Sequence, residues 1–132
     1  MPSTHPVLQN APLKVFVDDH EVVMIQFVCD IILNQNLELF TLLKRIPKKE
    51  EILSFDMKIQ LKNGSDGRVI TAIMESSMDP ITQVTLFINE KRVGLKQFVQ
   101  NLIFGINYGI LQTMDGVSHN IHVISLKYQK PS

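Results

Sequence analysis

The chain says nearly the same thing twice, and in so short a protein that limits the possible folds severely. "FVDDHEVVMIQFVCDII" begins at Phe16, and "FINEKRVGLKQFVQNLI" begins at Phe87, 71 residues later. Across residues 16–46 and 87–117, seven of 31 aligned pairs are identical: Phe16/Phe87, Val22/Val93, Gln26/Gln97, Phe27/Phe98, Val28/Val99, Ile32/Ile103 and Asn36/Asn107. About two would match by chance at typical residue frequencies. Most other putative core positions pair apolar with apolar, as in Val17/Ile88, Met24/Leu95, Ile31/Leu102 and Leu39/Ile110. The expectation is a fused duplication within one domain of 132 residues, with repeat units at about 13–62 and 82–129 joined by a hairpin and linker over 63–81.

Each unit has the same local grammar. A short strand rich in β-branched and aromatic residues comes first, at 14–17 and 84–88. A polar turn follows, at 18–21 and 89–92, then a second short strand at 22–24 and 93–95. The period then becomes helical, with Val28, Ile32, Leu39 and Leu43 in one unit and Val99, Ile103, Ile106, Ile110 and Met114 in the other. The spacing predicts two helices of about five turns. Lys44 and Arg45 are expected to close the first and Gly116 to cap the second. Alternation returns at Phe55, Met57, Ile59 and Leu61, and at Ile124, Leu126 and Tyr128. "KNGSDGR" reads as a hairpin leading into a further strand at 69–75. The fold class is therefore α+β: a mainly antiparallel sheet with two long helices and a pseudo-two-fold relation. One unit alone would expose a helix stripe and a sheet face, and a second copy can cover both.

Charge and cysteine usage narrow the function classes. Lys+Arg and Asp+Glu each total 13, so the net charge is zero. A nucleic-acid binder usually carries a basic excess, because phosphate neutralisation supplies most of its affinity. No nucleic-acid partner is expected. Cys29 is the only cysteine, which fits a reducing compartment. The start, "MPSTHPVLQNAP", lacks the pattern of a secretory signal, so a cytoplasmic location is expected. The most apolar run, 98–111, is short and interrupted by Gln100, Asn101 and Asn107, so no membrane span is expected.

The second unit resembles a small archaeal domain with a recognisable pattern: a strand ending in Asn-Gly-Lys, then Val-Pro-Leu, then Phe-Val-Gln opening a helix that ends near Leu-Lys-Gly-Val. The positions here are Asn89, Val93, Leu95, Phe98, Val99, Gln100, Gly109, Gly116 and Val117. That domain occurs alone and attached to proteins of the type that make molybdopterin guanine dinucleotide, with no activity established for the domain itself. Glu90 and Gly94 depart from its Gly and Pro, and Glu38 and Arg45 replace glycines in the first unit. The resemblance implies a fold unit and no reaction. A guanine-nucleotide enzyme would also need a G-x-x-x-x-G-K-[ST] loop, which the sequence lacks.

Candidate chemistry is sparse. His119 and His122 are three apart, and residues three apart on a strand face opposite sides, so they make a poor metal pair. No metal or cofactor is expected. Cys29 lies near a helix start, where a thiol can be activated, but its counterpart is Gln100 and no base accompanies it. Asp18, Asp19 and Glu21 crowd one turn, while Asn89, Glu90 and Arg92 stand at the matching positions. "KRIPKKEE" gathers four cations around Pro47, blunted by Glu50 and Glu51. Gln26 and Gln97 open the helices, where side-chain amides can reach free backbone N–H groups. Asn36 and Asn107 are mid-helix, and a buried hydrogen bond between the copies is the structural expectation. The functional expectation for these four amides is a ligand site.

Two function classes emerge. One is a non-catalytic interaction or assembly module, a fused pseudo-dimer that associates further. The other is a small-ligand or cofactor-binding protein that uses the groove between the repeats. Paired titratable groups for an enzyme are missing. Gly105 and Gly109, four apart on one helix face and costly in a helix interior, point to close approach of another backbone. With Tyr108 and Gln112 beside them, they are the expected homodimer contact.

Overall fold

The computed structural model describes residues 12–61, 82–114 and 121–131. The expected hairpin and linker at 63–81, the strand at 69–75, the Gly116 cap and His119 lie outside the described residues.

The elements run β1 (Leu13–Val17), β2 (His20–Glu21), α1 (Gln26–Phe40), a 3-10 turn (Lys49–Glu51), β3 (Ser54–Leu61), β4 (Thr82–Ile88), β5 (Lys91–Val93), α2 (Gln97–Leu111) and β6 (Val123–Gln129). The six described strands form one sheet in the order β2-β1-β6-β3-β4-β5, every pair antiparallel. Exchanging β1, β2 and β3 for β4, β5 and β6 leaves that order unchanged. The fold is α+β.

The registers match as well. Phe16 pairs with Glu21 in the first hairpin, and Phe87 pairs with Arg92 in the second. Val17 faces Ile124 across β1 and β6, while Ile88 faces Phe55 across β4 and β3. Moving the first pair onto the second takes 71 residues on one strand and 69 on the other. The span from helix to final strand is therefore two residues shorter in the second half. At the sheet's centre Met57 lies opposite Leu126, both fully buried.

Alternation places the core. Phe55, Met57, Ile59 and Leu61 are buried, while Asp56, Lys58 and Gln60 between them are exposed. One sheet face is thus covered by α1 and α2, which supply Ile32, Phe40, Ile103, Phe104 and Leu111. Each fully buried Leu, Ile or Phe contributes roughly 1.5–3 kcal/mol.

Three local expectations are corrected. The hairpin turns are only two residues long. Asp18 and Asp19 have φ of 48° and 68°, and Asn89 and Glu90 have 50° and 68°. Positive φ at both central residues matches the twist of the flanking strands, so β2 and β5 begin at His20 and Lys91 rather than at 22 and 93. Both helices are 15 residues, about four turns rather than five. In α1 the hydroxyl of Thr41 donates to the Glu38 carbonyl at 2.6 Å, and Leu42 and Leu43 make i-to-i−3 bonds that tighten the end. Lys44 and Arg45 therefore follow α1 instead of closing it, and Arg45 turns the chain at φ 63°.

Candidate functional site

The two helices meet through amides. Asn36 Nδ2 donates to Asn107 Oδ1 at 2.9 Å, and Asn107 Nδ2 donates to Asn36 Oδ1, also at 2.9 Å. Each amide uses its second N–H on the carbonyl one turn back, Ile32 at 2.8 Å and Ile103 at 2.9 Å. Asn36 is fully buried and Asn107 is 2% exposed. All four N–H groups are thus used inside the fold, and none is left to hold a ligand. Asn is a poor helix former, but here it joins helix to helix in a place where water cannot compete.

Gln26 and Gln97 are the first residues of their helices, yet neither helix start has a side-chain cap. Their amides act as donors instead. Gln26 Nε2 donates to Asp30 Oδ1 at 2.7 Å, and Gln97 Nε2 to Asn101 Oδ1 at 2.9 Å. Gln97 also reaches the Thr82 carbonyl at 2.9 Å, and the Thr82 hydroxyl donates to Asn101 Oδ1 at 2.8 Å. Thr82 and Asn101 are fully buried, so this network ties α2 to β4. Its sequence signals are Gln97 at the helix start and the polar Asn101 within an apolar run.

Cys29 and its counterpart Gln100 bridge helix to strand at matched places. Cys29 Sγ donates to the Leu13 carbonyl at 3.7 Å, and Gln100 Oε1 accepts the Val84 N–H at 2.8 Å. Burial raises the Cys29 thiol pKa, with the nearby Asp30 charge adding to the rise. A raised pKa and 2% exposure are the reverse of an activated nucleophile. Native Cys29 is expected to react with a thiol reagent at neutral pH at least tenfold more slowly than the urea-unfolded chain. Rates monitored by absorbance check this.

The hairpin tips are structural too. Asp18 Oδ1 accepts the N–H groups of His122 and Val123 at 2.9 and 2.8 Å. Asn89 Oδ1 likewise accepts those of Leu53 and Ser54 at 2.7 and 3.1 Å. A carboxylate and an amide do the same work, seating a turn against the start of the neighbouring strand. Among the described residues, no group of three His, Cys, Asp or Glu could hold a metal. Part of the basic run is also occupied, since the Lys49 ammonium pairs with Glu38 at 2.7 Å.

Among the described residues nothing covers the glycines of α2. A Cβ built on Gly105 or Gly109 meets nothing within 4 Å among the described residues. Phe98 is 49% exposed on the same side, Gly109 is exposed, and Leu102, Gly105 and Ile106 are half-buried. Gln112 follows the helix and is half-buried. Tyr108 departs from expectation: it is 3% exposed, with its ring 5.1 Å from that of Phe104. One position along the helix from Gly109 is about 100° of rotation, enough to carry Tyr108 into the core. It adds no area to an outer contact.

α2 contains no charged residue, whereas α1 exposes Asp30 and Glu38. No helix among the described residues is long and apolar enough to cross a membrane. Compared with known proteins, the chain matches no family model, no curated protein and no solved structure.

Proposed function

We propose that this chain is a fused duplication serving as a non-catalytic assembly module, and that it pairs with a second copy of itself through the outer face of α2. The observation that carries this reading is the uncharged, glycine-lined outer side of α2, with Phe98, Leu102, Gly105, Ile106 and Gly109 together. A helix on a domain surface ordinarily turns charged residues outward. The matched positions on α1 do so in part, with Asn34 and Glu38 where α2 has Gly105 and Gly109.

The reading commits to a second copy because of symmetry. In a two-fold contact the same patch is used twice, so a charge near the axis meets its own copy and a charge away from it needs an opposite charge elsewhere on the same patch. α2 brings no charge that would need such a partner, whereas α1 exposes Asp30 and Glu38. The glycines let two backbones approach closely, and zero net charge leaves little repulsion between molecules. The duplication is supported by the matched strand order and registers of the two halves. The resemblance of the second half to the small archaeal domain fits the same reading, as a unit whose two copies are joined in one chain.

Gly109→Leu tests the assembly. Leucine is a far better helix former than glycine, so the isolated fold should gain roughly 0.8 kcal/mol. The same side chain fills the approach and should separate the dimer. Light scattering should show a dimer for the wild-type chain and a monomer for the variant, with urea unfolding at low concentration showing the gain. A wild-type monomer would sink the proposal, as would a variant that dimerises with unchanged affinity.

A further inference from the structure

One cleft lies apart from the α2 face. It has a volume of about 440 Å³ and forms where the chain leaving α1 meets the β4–β5 hairpin of the other half. Ile46, Pro47, Ile88 and Val93 give it an apolar part of its lining, and Arg45, Lys91 and Arg92 give it a basic part. Among the described residues no carboxylate lines it, and Arg45 and Lys91 have no ion-pair partner there. Glu90, the nearest acid in sequence, lines a different cleft with Asp56 and Lys127. The Asn89 side chain is taken up by Leu53, Ser54 and Glu51.

The sheet edge adds a backbone donor. Lys91 pairs with Ile88, a buried residue of the helix-covered face, so the Lys91 side chain starts on the side where Arg45 lies. Arg92, which also lines the cleft, pairs with Phe87. In a two-residue hairpin the ladder alternates, so the N–H of Arg92 turns away from β4 toward the open edge. Two cationic residues and an edge N–H thus line one opening.

Arg45 carries a second sign. It sits at φ 63°, in the left-handed region where glycine is at ease and a branched-out side chain is not. The matched residue in the second half of the sequence is Gly116. Glycine would satisfy the backbone at Arg45, so what arginine supplies there is its charge. The corresponding hairpin of the first half offers His20 and Glu21 where the second offers Lys91 and Arg92, so the basic character belongs to one half only.

We infer that this cleft binds a small organic phosphate monoester, with the dianion held by Arg45, Lys91 and the Arg92 N–H and an apolar body against Ile46, Pro47, Ile88 and Val93. Arginine and a backbone N–H suit phosphate oxygens, and the volume is in the range of small-molecule sites. The cations are exposed, so binding weakens as salt rises.

Phenyl phosphate is the probe, with inorganic phosphate and phenol as its two halves, followed by amide chemical shifts of the full chain. Saturable shifts centred on Lys91 and Val93 are expected with phenyl phosphate. Inorganic phosphate should bind about tenfold more weakly, and phenol should give no such shifts at equal concentration. Arg45→Gly should weaken phenyl phosphate at least tenfold while leaving the melting temperature unchanged or higher, because the backbone there suits glycine. Lys91→Glu should abolish binding. Phenol binding as tightly as phenyl phosphate overturns the inference, as does an Arg45→Gly chain that binds normally. Inorganic phosphate matching phenyl phosphate overturns the role given to the apolar lining.

Discussion

Replacing Asn107 with alanine should destabilise the fold by about 1–3 kcal/mol, because it leaves a buried amide without its partner. The two side chains exchange a pair of 2.9 Å bonds at the helix contact, with exposures of zero and 2%. Removing one leaves an N–H and an oxygen of Asn36 facing an apolar gap. Asn36 keeps its bond to the Ile32 carbonyl, which limits the loss. The control is the double change Asn36→Leu with Asn107→Leu. It removes both polar groups, fills the volume and improves helix propensity at two positions. The double variant should therefore lose much less than the sum of the two single leucine changes. Urea midpoints at constant m-value give the coupling directly. If Asn107→Ala unfolds at the wild-type midpoint, the pair is not holding the helices together.

Much of this architecture could be read because its periods are strong. β3 alternates cleanly, so Phe55, Met57, Ile59 and Leu61 mark one buried face in the sequence itself. The 71-residue repeat located both helix starts, and it put Asn36 opposite Asn107, the pair now seen hydrogen-bonded. Helix ends were less legible. The apolar stripe of α1 continues through Leu43, but the Thr41 hydroxyl and the i-to-i−3 bonds of Leu42 and Leu43 end the helix before that stripe does. Tyr108 is four residues from Phe104, so the helical period sets it on the core side, and adjacency to Gly109 in sequence does not place it on the glycine face. The basic cleft was invisible for another reason. Arg45 and Lys91 belong to different halves, and only the packing of the chain after α1 against the second hairpin brings them to one opening. A difference between matched positions was the available signal, since Arg45 aligns with Gly116 and Lys91 with His20. Repeats reveal shared structure where residues agree, and they point to separate roles where residues differ.

That contrast also sets the largest single-residue effect expected in this chain. Phe40 is fully buried at the end of α1, and its ring meets Phe55 edge-on with centroids 5.0 Å apart. Phe55 in turn lies 5.3 Å from Tyr128, so three rings join α1, β3 and β6. Phe40→Ala removes a whole ring from this cluster and should cost about 3–5 kcal/mol, the range for large aromatic truncations in cores. Edge-to-face geometry puts the value toward the upper end, since such pairs carry about 0.5–1.5 kcal/mol beyond area alone. Against a total stability of order 5–15 kcal/mol, that loss is a large share. The second half supplies the milder variant. Leu111 occupies the matching place on α2 and is 2% exposed, so this architecture accepts leucine at a helix end over the same sheet. Phe40→Leu should therefore cost only about 1–2 kcal/mol, because it keeps most of the volume and leaves a small gap beside Phe55. Urea unfolding of the two variants should separate them by roughly 2–3 kcal/mol. Equal losses would mean that the ring of Phe40 is used for its shape against Phe55 and Tyr128, and that leucine cannot replace it in this half.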